Sequence, residues 1–361
     1  MKHKMTGVYI HIPFCLRKCN YCDFLSFPAA EELHEKYVDA LIAELRDFSR
    51  EVDTVYIGGG TPTALPSFLL CKILEAVNRL ALAPGAEITA EANPETLNRE
   101  YLSEMRASGV NRLSMGLQAT EAKHLRSLGR GHTFEDFEKN FYAARDAGFK
   151  NINIDLMFGL PDQSFEDWCY TLNVVKRLSP EHVSAYSLTP AEKTPLWDGI
   201  ESGKIILPDE TADRRMYHFT REFLCEPRYV HYELSNFAKP GLESRHNVNC
   251  WRMRPYIGFG LGAHSFDGQR RWHNTEDLDE YLRGGDIKKG IVELSDSDFN
   301  AEYMILGLRL TEGVRPREGY EDVIKRLAAE GMLTWKNERV ALTSYGMDFA
   351  NRVFGEFLNP F

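Results

Sequence analysis

The sequence has no apolar stretch of about 18 residues, the minimum for a membrane-spanning helix. Its first residues, Met1-Lys-His-Lys-Met5, lead straight into a short strand-like segment, not into the apolar core of a leader peptide. Neither a transmembrane helix nor a secretory signal is therefore expected. Positive charge is also in short supply: 43 basic residues stand against 53 acidic ones, a net charge of −10. Phosphate contacts need a basic surface, so general nucleic-acid binding is not expected. The seven cysteines are odd in number, and without a secretory signal they do not read as a disulfide framework. Reduced thiols point to the cytoplasm. What remains is an acidic, globular chain of 361 residues, 43% hydrophobic and 12% aromatic. That is long enough for one large α/β domain and a small appendix.

Three of the cysteines stand together, in His11-Ile-Pro-Phe-Cys15-Leu-Arg-Lys-Cys19-Asn-Tyr-Cys22-Asp-Phe24, just after the apolar segment Val8–Ile12. Three thiolates on one loop can hold a four-iron cluster by three corners and leave one iron without a protein ligand. A cluster closed by four cysteines serves electron transfer alone; an open iron can bind a substrate or cofactor. The competing reading is a Cys3His zinc site completed by His11. Cys71, Cys169 and Cys225 sit in helix-like apolar patterns as small core residues, and Cys250 is a separate case.

Strand-like runs at Val8–Ile12, Val55–Ile57, Ile88–Ala90, Leu113–Met115, Ile152–Met157 and Val183–Leu188 alternate with amphipathic helices. Gly148 stops one of these helices, and Ser164 with Asp167 opens the next as a capping box. Six β-α units in succession predict an α/β fold, a parallel sheet rolled into a full or partial barrel. Chemistry then collects at the C-terminal ends of the strands, where the cysteine loop lies. Residues 1–235 are expected to form the barrel and 236–285 a connecting segment. Residues 286–361 are expected to form a small C-terminal domain, helix–hairpin–helix and winged-helix-like, that serves packing or docking.

The cysteine spacing, with an aromatic residue just before the last cysteine, resembles the radical S-adenosylmethionine (SAM) superfamily. The resemblance implies a [4Fe-4S] cluster on Cys15, Cys19 and Cys22, and SAM chelated to the open iron. In Gly58-Gly-Gly-Thr-Pro-Thr63, residues Gly59, Gly60 and Thr61 resemble the segment that contacts the methionyl end of SAM. Further matches fall at Glu91, Gln118, Arg130 and Asp155, with Tyr9 and Tyr21 beside the cofactor. Carboxylates there can accept hydrogen bonds from ribose hydroxyls or an ammonium, and an arginine can pair with a carboxylate.

Three phrases carry the likeness further and over essentially the whole chain: Gly-Val-Asn-Arg-Leu-Ser (109–114), Tyr-Glu-Leu-Ser-Asn-Phe-Ala (232–238) and Leu-Gly-Leu-Arg-Leu-Thr (306–311). They resemble the coproporphyrinogen dehydrogenase-related group, which holds the oxygen-independent coproporphyrinogen III dehydrogenase and the HemW heme chaperones. The dehydrogenase has a fourth cysteine where this chain has Phe24, and an N-terminal arm for which the sequence leaves no room. His246-Asn-Val-Asn-Cys250-Trp251 resembles the chaperones' H-N-x-x-Y-W motif, with Cys for Tyr. The expectation is a heme chaperone, not a conventional enzyme. It would bind heme through His246, hold a SAM-liganded cluster, and pass heme to acceptor hemoproteins such as respiratory enzymes, with a second copy of the chain as a further expected partner. The alternative is radical decarboxylation of coproporphyrinogen propionates, or a radical enzyme that opens or modifies heme. His264, in Gly-Leu-Gly-Ala-His-Ser, is either a cofactor contact or a loop cap.

Overall fold

The structure, a computed structural model, describes residues 5–226 and 228–358. Strands β1 (Thr6–Ile12), β2 (Glu51–Gly59), β3 (Ala81–Ala92), β4 (Arg112–Gln118) and β5 (Ile152–Phe158) contain five of the expected runs, and β6 (His182–Ser187) matches the sixth except that it ends before Leu188. Each pairs in parallel with the next. Between them lie α1 (Glu31–Leu45), α2 (Ser67–Asn78), α3 (Arg99–Ala107), α4 (Ala122–Ser127), α5 (Phe134–Asp146) and α6 (Phe165–Leu178). Two of these helices open on complete capping boxes, Thr133 with Asp136 and the expected Ser164 with Asp167. Gly148, at φ +92°, ends the turn after α5 as expected.

The strands alternate strictly. Val8, Ile10 and Ile12 of β1, with Val55 and Ile57 of β2, join Tyr37, Val38 and Leu41 of α1 in the core. The intervening residues are polar and hydrogen-bond among themselves, as Tyr56 does with Glu91 and Asn153 with Ser114 and Asp155. A period of two thus puts apolar side chains under the helices and polar ones inside the curve of the sheet.

Beyond α7 (Pro195–Glu201) and α8 (Glu210–Cys225) the chain adds strands to both edges. These are β7 (Val230–Glu233), β8 (Asn236–Ala238), β9 (Tyr256–Phe259), β10 (His264–Phe266), β11 (Arg270–Asn274) and β12 (Lys288–Glu293). The resulting order is β12-β11-β10-β9-β1-β2-β3-β4-β5-β6-β8-β7, twelve strands in one open sheet. The barrel is therefore partial. The chain breaks expected at 235 and 285 are not breaks in the sheet: β7 and β8 pair across the first, and β12 joins the sheet beyond the second. Helices α9 (Arg245–Trp251) and α10 (Leu278–Arg283) lie between these added strands.

The tail has the expected order of elements. It comprises α11 (Asp296–Leu308), α12 (Glu321–Ala329), the hairpin β13 (Leu333–Lys336) with β14 (Arg339–Leu342), and a terminal helical segment. The single helix expected after the hairpin is two, α13 (Ser344–Asp348) and α14 (Ala350–Leu358), parted at Phe349. Thr343 caps α13 at the amide of Gly346, and Val353, Phe354 and Phe357 of α14 face the core.

Candidate cluster and cofactor site

The loop carrying the cysteines is closed at its base by backbone bonds. Phe27 N–H donates to Pro13 O (2.8 Å) and Cys15 N–H to Phe27 O (3.1 Å). The amides of Gly60 and Thr61 reach across from β2 to the carbonyls of Ile12 (2.8 Å) and Phe14 (2.7 Å). Asn20 ties the middle of the loop to α4, its amide on Leu128 O (2.9 Å) and its side chain on Ser127 O (3.0 Å). A β-carbon on residue 60 would lie 2.7 Å from Phe14 O and 3.1 Å from Cys15 Sγ. Glycine is required there by close approach.

Cys15, Cys19 and Cys22 are all free and partly exposed. Cys15 Sγ lies 3.5 Å from Thr61 Oγ1, and Arg130 points a guanidinium N–H at Cys19 Sγ (3.6 Å). Burial pushes the Cys15 and Cys22 thiols up, with hydrogen bonds and nearby cations opposing it. Iron binding would release those protons. The zinc alternative is closed by His11. Its Nε2–H donates to Leu25 O (2.9 Å), so Nδ1 accepts from Tyr9 O–H (3.0 Å), and no lone pair is left for a metal. Three thiols on one loop, with a cation at hand to balance cluster charge, fit a [4Fe-4S] cluster with one open iron.

The other expected residues surround this loop on the polar face of the sheet. Arg130, after α4, donates to Asn93 Oδ1 (2.6 Å) and Gly116 O (3.0 Å), and Asn93 Nδ2 donates to Thr61 Oγ1 (2.8 Å). Thr61, Asn93 and Arg130 thus form a chain along the floor of the site. Glu91 accepts from Tyr56 O–H (2.7 Å) and from Gly59 N–H (3.2 Å). Burial raises its carboxyl to about 7, with the Asp155 charge adding to the rise and the Tyr56 and Gly59 hydrogen bonds opposing it.

Asp155 accepts from Asn153 Nδ2 (2.8 Å) and Ser114 Oγ (3.1 Å). Gln118 ends β4 at φ +68° and takes a hydrogen bond from Tyr186 O–H (3.3 Å). A buried non-glycine residue held in the left-handed region at a strand end marks a functional position. Burial raises the Tyr9 and Tyr21 phenols, so both stay protonated donors. Sequence reading passed over Asn93, Tyr56 and Tyr186. Asn93 stands two residues after Glu91, and Tyr56 and Tyr186 occupy polar-face positions in the strand alternation, which was the available signal.

His246 is not part of this constellation. It sits in α9 with its ring buried, Nδ1 paired with Thr54 Oγ1 (3.0 Å) and its amide on Glu87 Oε1 (3.3 Å). Thr54 and Gly7, its neighbours, belong to the starting ends of β2 and β1, the end opposite the cysteine loop. Burial, with the Arg112 charge adding, lowers the imidazole to about 4. Trp251 lies under the guanidinium of Arg309, 4.4 Å from its ring centre, and burial pushes the Cys250 thiol up to about 12.

Residues 9–175 match the Radical SAM superfamily. The heme chaperone HemW of Bacillus subtilis is 36% identical to this chain, over 98% of it and 99% of the relative. The chain belongs to the HemW heme chaperone family. HemW of Escherichia coli is likewise 36% identical, over 98% of each chain. Among solved structures, coproporphyrinogen III oxidase (HemN) from Escherichia coli superposes with a TM-score of 0.85, over 99% of this chain and 91% of that one. At 23% identity that likeness concerns the fold. The family's cofactors, SAM and a [4Fe-4S] cluster, are those the three thiols and their surroundings fit. Among the described residues no helix is long and apolar enough to cross a membrane.

Proposed function

We propose that this protein is a heme chaperone that binds heme, holds SAM on a [4Fe-4S] cluster, and delivers heme to acceptor hemoproteins. The observation that carries the reading is the end-to-end match to HemW chaperones combined with the three-cysteine loop. Position 24 supports it from the other side. The dehydrogenase pattern places a cysteine there, whereas this chain exposes a phenylalanine, 64% accessible.

Cys15, Cys19 and Cys22 would hold three irons, and what the cluster supplies is one open iron and one electron. The chain's own residues do the binding. Thr61, Asn93 and Arg130 present a preorganised floor that takes a carboxylate on the guanidinium. Glu91, once ionised, accepts from an ammonium, and Asp155 and Gln118 offer acceptors for ribose hydroxyls. Tyr9 and Tyr21, kept protonated, donate and cover the site with flat apolar faces.

Anaerobic heme titration of the cluster-loaded protein, followed by absorbance, tests the reading. Saturable heme binding is expected, with no 5′-deoxyadenosine formed from SAM when coproporphyrinogen III is supplied. Decarboxylation of that porphyrinogen in the absence of heme binding would replace the chaperone reading with the enzyme. Transfer is read separately, as loss of heme from this protein to an apo-hemoprotein. A second copy of the chain is a further expected partner, checked by sedimentation of the cluster-loaded protein.

A further inference from the structure

β9 runs parallel to β1 and beside it, so the loop leaving β9 opens at the same end of the sheet as the cysteine loop. That loop, Gly260 to Ala263, is pressed onto the site. A β-carbon at Gly260 would lie 2.5 Å from His11 O, and one at Gly262 would lie 2.5 Å from the side chain of Leu25. Both glycines have positive φ, +101° and +65°. The loop delivers His264 at the start of β10. Among the described histidines His264 alone is exposed, and neither of its ring nitrogens has a hydrogen-bond partner there.

His264 does not stand alone. Its ring stacks on that of His273, directly across the β10–β11 ladder, with centroids 5.3 Å apart and planes at 28°. His273 Nδ1–H donates to Asn274 O (2.9 Å), so its lone pair is on Nε2, a nitrogen that Gly290 leaves uncovered. Burial and the neighbouring His273 also hold His264 below the usual imidazole range, which leaves it neutral with a lone pair at physiological pH.

Two large apolar residues adjoin these segments in sequence, both more than half exposed. Phe24 (64%) precedes the Leu25 that supports the loop, and Ile291 (59%) follows Gly290. Two imidazoles without a third donor are too few for a bare divalent cation. Apart from the cluster cysteines, the described residues bring three metal-capable side chains within 4.8 Å of one another elsewhere, at Glu121, His124 and Asp167. There Asp167 is already engaged by Lys123 (2.7 Å) and by the cap of α6.

We propose that His264, oriented by the stacked His273, is the axial ligand for the iron of heme bound at the mouth of the barrel, beside the cluster loop. A porphyrin supplies four ligands itself and needs one imidazole from the protein, which His264 offers with a free nitrogen. The assignment rests on the heme-chaperone reading. It differs from the motif-based expectation, because His246 is buried at the far end of the strands with Nδ1 engaged by Thr54. His273 is a positioning residue: it touches the ligand, not the iron.

The experiment is an anaerobic ferric-heme titration of the cluster-loaded full chain and of the variants His264→Ala, His273→Ala and His246→Ala. It is read by Soret absorbance and, after reduction, by the iron–imidazole stretching band in resonance Raman spectra, the signature of a single axial imidazole. His264→Ala is expected to weaken binding at least about tenfold and to abolish that band. Added imidazole should restore the band, while iron and sulfide content and SAM binding stay at the wild-type level. His273→Ala is expected to keep the band and shift it. If His264→Ala titrates as wild type, or His246→Ala alone loses the band, the ligand assignment is overturned and the heme reading stands. If the wild-type protein binds no heme, both fall.

Discussion

At the scale of single residues, the site is governed by side chains that satisfy one another before any ligand arrives. Glu91 shows the consequence. With its carboxyl raised to about 7 by burial, it is only partly ionised at neutral pH, and protonation removes its capacity to accept from an ammonium. SAM affinity is therefore expected to rise with pH through about 7 and to fall below it, where a typical glutamate near 4.3 would show no change. Equilibrium binding measured across that interval checks this, and Glu91→Gln should flatten the profile. Asn93 holds both Thr61 and Arg130 (2.8 and 2.6 Å). Asn93→Ala removes one hydrogen bond from each, one of them to a charged group, and is expected to weaken SAM binding by about 1–3 kcal/mol, with cluster content retained. Gly60→Ala would drive a methyl to 2.7 Å from Phe14 O, so the loop must shift. Reconstitution of that variant is expected to yield little iron and sulfide. Tyr9, Glu91, Gln118 and Asp155 were legible by family resemblance at strand ends; Asn93 was not, since its importance lies in joining two residues distant in sequence.

At the scale of elements, local rules read true wherever the signal was local. The period of two located six strands, and Ser164 with Asp167 opens α6 as a reciprocal cap, Asp167 N–H donating to Ser164 Oγ at 3.0 Å. Ser164→Ala is expected to cost about 1 kcal/mol, seen as a lower urea midpoint at unchanged slope. Boundaries were less legible, and the reason is pairing. β3 reaches from Ala81 to Ala92, far beyond the apolar core Ile88–Ala90, because its backbone pairs with β2 as far back as Ala81, whatever the side chains there. The final helix divides at Phe349, where the backbone leaves the helical region although the hydrophobic period continues.

At the scale of the whole molecule, backbone bonds tie the tail to the sheet, Leu234 N–H to Arg309 O and Thr311 N–H to Tyr232 O, and a buried carboxylate lies at the same junction. Glu233 of β7, with no accessible surface, accepts from Ser235 N–H (3.0 Å) and from Asn236, and faces Arg309 at 3.8 Å. The same guanidinium covers Trp251 of α9, so Arg309 joins β7, the end of α11 and the helix bearing His246. Arg309→Ala would strand the Glu233 charge and is expected to destabilise the fold by about 3–5 kcal/mol. Denaturant unfolding measures it, and Arg309→Lys should recover only part of the loss, since lysine lacks the flat face that stacks on indole. The tail thereby packs against the sheet edge.

The sequence by itself determined the chemistry that short spacings encode. Three cysteines within one turn of loop, a glycine triplet at a strand end and the two hydrophobic periods specify the cluster ligands, the close approach and the barrel. Those features act between neighbours in the chain, where residue type and separation suffice. Tertiary structure alone decided which groups are free to act. His11 is spent on Tyr9 and Leu25, and His246 on Thr54, whereas His264 is delivered unpartnered beside the cysteine loop because β9 pairs with β1. A lone pair is available or consumed according to what the fold brings against it, and strands joined from opposite ends of the chain carry no local signature of that meeting.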